Sequence, residues 1–236
     1  MPVAVTNWLY QFDELSDAAK EKAREWYRSV GLDHDWWDSV YEDALRMAEI
    51  LGIEIDYRYR HHPASGRPGS KGWKEPKIWF SGFYHQGDGA CWEGSYRYAK
   101  GALKKLQSEA PARYQYCKPD GTLEWTENKG NAELHRIAKA LQKVQARHFY
   151  KLTATSTHRD RYYHSGCMDI EVEHDDDRYR DIGDAEGEIK DLLRDFADWI
   201  YRRLEEEHDW LTSDEQVDES IIANEYTFDE DGNRED

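Results

Sequence analysis

The chain has 236 residues, of which 32 are Lys or Arg and 49 are Asp or Glu, giving a net charge of −17. That length buries a working core without an external staple, and its 10 Trp and 16 Tyr exclude intrinsic disorder despite the charge. The negative field repels phosphate, so free nucleic acid is a poor ligand and a basic partner a better one.

The first expected element is a helix over LSDAAKEKAREWYRSVG, with Ser16 as N-cap, Asp17 in the first turn and Gly31 as the stop. A second helix is expected from about Trp36 to Leu51, closed by Gly52 and paired with the first as an antiparallel hairpin. IEIDYRYR then alternates with period two, so Ile53, Ile55, Tyr57 and Tyr59 share one face of a strand. The Gly- and Pro-rich HHPASGRPGSKGWKEP predicts an exposed loop, and KIWFSGFY a strand that returns antiparallel to the first.

A short helix near Lys100 to Glu109 ends before Pro111, and YCKPDGTLEWTENKG carries a turn at its Pro-Asp-Gly. Helical spacing returns from Asn131 to about Phe149. KLTATSTH and MDIEVEHD predict two further strands around a turn near RYYHSG, followed by a long helix from about Asp184 to Glu207. This order predicts an α+β fold, an antiparallel sheet of about four strands packed against several helices. A single domain over 1–224 is expected, with a peripheral insert near 110–130 and an acidic, mobile tail at 225–236.

Cys91, Cys117 and Cys167 are odd in number and show no CxxC spacing, which argues against a disulfide framework or zinc ribbon and for a reducing compartment. No stretch approaches the ~20 apolar residues of a bilayer span, and the N-terminus has no secretory pattern. The expectation is a soluble cytoplasmic protein with no membrane association.

The stretch FSGFYHQGDGACWEGSY concentrates glycine, aromatic and polar residues. It has neither the GxGxxG order nor the GxxxxGK[ST] phosphate loop. Gly87 and Gly89 around Asp88 suit left-handed angles, either as a hairpin turn or as a loop that aims amides at a ligand. Tyr84, His85, Gln86, Trp92 and Glu93 would complete a pocket beside that loop, for a planar ligand or a partner's side chains. Cys91 with His85 matches a thiol and its base, although a free cysteine is more often a small buried apolar residue.

His158, His164, His174, Cys167 and Asp169 fall on or near the last two strands, and His61 with His62 in the long loop, without zinc spacing; no metal or other cofactor is expected. DEDGN near the C-terminus opens like a calcium loop but lacks the closing glutamate. Arg159 and Arg161 interleave with Tyr162 and Tyr163, as Arg58 and Arg60 do with Tyr57 and Tyr59. Such clusters pack across strands or stack on bases.

FSGFYHQGDGACWEGSYRY, HRIAKALQKVQARHFYKLTATSTH, LSDAAKEKAREWYR and the C-terminal segment from DLLRDFADWIYRR to YTFDEDG resemble a phage and prophage family labelled "antitoxin of toxin–antitoxin stability system". The resemblance spans most of the chain and carries no catalytic residues. It implies a protein of the host cytoplasm that neutralises a host toxin or defence component. A direct inhibitor that binds through acidic positions such as Glu205, Glu206 and Asp209 is therefore the leading expectation. The alternatives are a sponge for a small signalling nucleotide, held by the glycine loop with Arg159 and Arg161, and an enzyme that uses Cys91 or a metal.

Overall fold

The computed structural model describes residues 8–32, 35–60, 73–159, 161–176 and 180–234. The chain opens with β1 (Tyr10–Gln11) and α1 (Asp17–Val30), where Ser16 accepts the Ala19 N–H at 3.3 Å as the cap. α2 (Asp38–Leu51) precedes β2 (Ile53–Ile55), β3 (Tyr57–Arg60), β4 (Trp73–Pro76), β5 (Ile78–Phe80), β6 (Ala90–Trp92) and β7 (Gly94–Arg97). Next come α3 (Ala102–Glu109), β8 (Arg113–Cys117), β9 (Leu123–Glu127), α4 (Lys129–Arg147), β10 (Leu152–His158) and β11 (Met168–His174). The chain closes with α5 (Ala185–Leu211), α6 (Asp214–Ala223) and β12 (Thr227–Phe228). The fold is α+β, and no described helix is long and apolar enough to cross a membrane.

Residues 39–203 form one compact unit. Its main sheet is antiparallel with strand order β11-β10-β7-β2. Ile53, Ile55, Tyr96, Leu152, Ala154, Met168 and Ile170 are buried on its core side, and Leu134, Ile137, Leu141, Val144, Ile189, Leu193 and Phe196 bring the apolar stripes of α4 and α5 into the same core. Buried Gln145 ties α4 to β10, because its amide donates to the Leu152 carbonyl at 2.7 Å and accepts the Leu152 N–H at 3.1 Å. Both polar groups of Leu152 would otherwise be orphaned in the core.

The four-stranded sheet is not assembled as the alternation suggests. IEIDYRYR breaks at Asp56, whose N–H donates to the Glu93 carbonyl and whose own carbonyl accepts the Lys77 N–H. β2 therefore pairs with β7, while β3 leaves to pair with β4 and β5 pairs with β6. Of the loop expected over residues 61–76, residues 61–72, with His61 and His62, lie outside the described residues, whereas Trp73–Pro76 is not loop but β4, held in register by its backbone pairing with β3.

Residues 1–38 and 204–236 form a second compact unit. Phe12, Leu15, Ala19 and Ala23 pack with Val217 and Ile221 of α6 and with Phe228 of β12, flanked by Trp26, Tyr27 and Tyr226. The apolar face of α1 is thus covered by α6. The acidic tail is also ordered in its first part: β12 pairs with β1, Phe228 is fully buried, and Arg234 bridges back to Phe228. One buried aromatic anchors a segment that its charge marks as mobile.

Candidate functional site

The glycine stretch is a nine-residue loop, 81–89, across the β5–β6 ribbon, not a two-residue Asp-Gly turn. Asp88 organises it. Its carboxylate accepts the Tyr84 N–H at 3.0 Å and the His85 N–H at 2.7 Å, and its own N–H donates to the His85 carbonyl at 2.9 Å. Ser81 and Gly89 close the base reciprocally, and the Tyr201 hydroxyl donates to the Gly82 carbonyl at 3.0 Å. Amides that would cradle an anion therefore face a carboxylate of the protein itself.

The His85 N–H, then the Tyr84 N–H, hold the Asp88 carboxyl below the usual carboxylate range. Because the folded value is the lower one, this stabilisation is complete above the ordinary carboxylate value of 3.8 and disappears as pH falls through the folded value. Asp88→Asn is expected to speed hydrogen exchange at the Tyr84 and His85 amides by roughly tenfold at neutral pH, without shifting the global unfolding midpoint. Unchanged exchange would show that the carboxylate does not hold the loop.

The other expected pocket residues separate into core and surface. Cys91 and Trp92 are fully buried, so neither faces a ligand. Burial, with the Cys167 thiol and Glu93 nearby, pushes the Cys91 thiol up to about 12, and the His85 side chain is 86% exposed and lies beside Asp88. That environment suppresses the thiolate a nucleophile needs. Glu93 is a strut, which accepts from Lys77 Nζ at 2.7 Å and from the His158 N–H at 3.1 Å. Tyr84, Gln86 and Gly87 are exposed, and neither Gly87 nor Gly89 has left-handed angles. Gly89 instead permits a close approach: a Cβ there would lie 3.1 Å from the His164 Cα and 3.2 Å from the Tyr163 carbonyl oxygen.

That close approach seats the 158–164 turn against the ribbon. The Trp79 ring stacks on Tyr163 at 6.3 Å, lies 5.9 Å from His158 and carries the Arg58 guanidinium at 5.0 Å. Arg58 and Arg60 both pair with Glu75, at 2.9 and 2.6 Å. Trp79 thus joins Arg58 to Tyr163, while Arg58 and Arg60 share the single carboxylate of Glu75. Arg159 and Arg161 are exposed on the same turn. The His158 ring nitrogen lies 2.9 Å from the Tyr162 carbonyl, and His164 Nδ1 accepts the Gly166 N–H at 2.9 Å. Among the described residues no group of three or more His, Cys, Asp or Glu could hold a metal ion.

The largest asymmetry lies in charge. Residues 1–38 and 204–236 hold 22 Asp and Glu against 5 Lys and Arg, a net −17, whereas residues 39–203 hold 27 against 27. The entire net charge of the protein thus belongs to one compact unit. Its arginines are mostly internal ties: Arg24 forks onto Asp218 at 2.6 and 2.7 Å, Arg28 pairs with Glu21 and Asp214, and Arg234 lies over Trp26 and Tyr226. Asp13, Glu14, Asp17, Glu25, Asp209, Glu215, Glu219 and Glu230 are exposed around them. The expected acidic positions Glu205, Glu206 and Asp209 fall on the last turns of α5 in this unit, with Glu206 and Asp209 exposed. Counting charge by segment instead of over the whole chain is the signal that finds this surface.

Residues 36–214 match a family described as a domain of unknown function, DUF8835. No curated protein and no solved structure matches the chain.

Proposed function

The chain belongs to the DUF8835 family, a membership that assigns no activity, and we propose that it is an antitoxin-like binding protein whose acidic unit captures a basic host toxin or defence protein. One observation carries this reading: the net −17 is confined to a unit of 71 residues built from the two ends of the chain, while the other unit is neutral. Such a concentrated field steers a cationic partner and raises its association rate by 10 to 10³. The resemblance to a phage family labelled antitoxin supports the same role and implies that it is played in the host cytoplasm. Neutralisation is then stoichiometric, and it needs neither the Cys91 thiol nor a metal.

Asp214 and Asp218 hold Arg28 and Arg24, so charge reversal there tests folding. Asp209, Glu215 and Glu219 are exposed and suit a test of binding. The triple variant Asp209→Lys, Glu215→Lys, Glu219→Lys is expected to keep its thermal midpoint and lose capture of a basic protein from host extract by about tenfold or more. Equal capture by the variant would remove the acidic unit from the interaction. A small nucleotide released from the denatured wild-type protein would favour the sponge instead, with the Trp79 and Tyr163 stack beside exposed Tyr162 as its platform.

A further inference from the structure

The β8–β9 hairpin belongs to the neutral unit and has no third strand among the described residues. It carries Tyr114 at 47%, Tyr116 at 44%, Leu123 at 64% and Trp125 at 64% exposure, so large side chains project from both of its faces. A two-stranded ribbon without a covered face is marginal in water, and three or more strands are needed for a stable sheet. The hairpin is an unfinished sheet.

Its hydrogen bonding fixes which edge groups are open. Lys118 N–H donates to the Thr122 carbonyl and Asn128 N–H to the Ala112 carbonyl, so Ala112, Tyr114, Tyr116 and Lys118 turn inward toward β9. Arg113, Gln115 and Cys117 therefore present their N–H and C=O groups along the outer edge. This strand also matches itself. In an antiparallel pairing about a two-fold at Gln115, Arg113 lies opposite Cys117 of the other copy, Tyr114 lies opposite Tyr116, and no like charges oppose.

Charge separates this edge from those of the main sheet and from that of β9. β11, an edge of the main sheet, carries Asp169, Glu171 and Glu173 on the face away from the core, and β2, the opposite edge, carries Glu54. β9 carries Glu124 and Glu127, which would place four carboxylates along a self-paired seam. β8 has no acidic residue, and the unit that contains it has no net charge to repel a copy of itself. We propose that the protein forms a two-fold dimer in which the β8 edges of two copies pair antiparallel about Gln115, joining two hairpins into one four-stranded sheet.

Light scattering coupled to size exclusion is expected to give twice the 27.9 kDa chain mass. Gln115→Pro removes only an outward N–H, so it is expected to halve that mass with circular dichroism unchanged. Directly paired antiparallel residues sit about 5.5 Å apart at Cα, within disulfide reach. Gln115→Cys in a Cys117→Ser background is therefore expected to give a disulfide-linked dimer on mild oxidation, and Trp125→Cys in the same background to give none. A wild-type monomer throughout about 1 to 100 μM would overturn the proposal. So would a dimer that survives Gln115→Pro, or cross-linking through Trp125→Cys in place of Gln115→Cys.

Discussion

Trp92→Ala is expected to destabilise the neutral unit by about 3 to 5 kcal/mol, the range for truncating a large buried aromatic side chain. Trp92 is fully buried, its indole N–H donates to the Leu193 carbonyl at 3.4 Å, and its ring meets Phe196 edge-on at 6.4 Å. Truncation opens a cavity under α5 and removes the indole hydrogen bond to the Leu193 carbonyl. Against a domain stability of about 5 to 15 kcal/mol this is a large share, and the variant is expected to unfold at much lower urea. Gln86→Ala, only six positions earlier but fully on the surface, is expected to change stability by less than about 0.5 kcal/mol. Equal unfolding midpoints for the two variants would contradict the division of this stretch into core and loop.

Gly94→Ala is expected to cost about 3 kcal/mol or more, because two penalties add there. The residue has φ +154°, which side-chain-bearing residues rarely adopt, and an added Cβ would lie 2.0 Å from the Glu54 carbonyl oxygen. Gly94 pairs with Ile55 on β2 and with Ser156 on β10, so the clash falls within the main sheet and β2 must move away. Gly87→Ala meets nothing within 4 Å and is expected to be neutral. Chemical unfolding of the pair checks this, and a Gly94→Ala protein as stable as Gly87→Ala would contradict the β2–β7 register.

The elements with a strong local signal were legible in the sequence. Ser16 and Gly31 bracket α1, and the apolar stripes of α4 and α5 stand out from their polar faces, because caps and a 3.6-residue period are local properties. α6 was hidden because DEQVDESIIA is rich in acids, and only Val217 and Ile221 are buried from it. β3 continues the alternation of β2 yet leaves the sheet at Asp56, a choice made by backbone partners at Glu93 and Lys77 that lie far away in the chain. The glycine stretch misled for a similar reason. Trp92 and Tyr84 have alike composition signals, but Trp92 lies on β6 in the core whereas Tyr84 lies in the 81–89 loop, 83% exposed. The separation of charge needed only the knowledge that the two chain ends fold together.

Capture by the acidic unit is tested by the association rate of the captured basic partner, measured from low to high salt. Exposed charges act over a Debye length of about 30 Å at 0.01 M ionic strength and about 3 Å at 1 M, so a charge-steered encounter is screened progressively. The association rate is expected to fall by about tenfold or more across that series, with the Asp209→Lys, Glu215→Lys, Glu219→Lys protein slow at every salt concentration. A rate independent of both salt and these substitutions would contradict capture by the acidic unit.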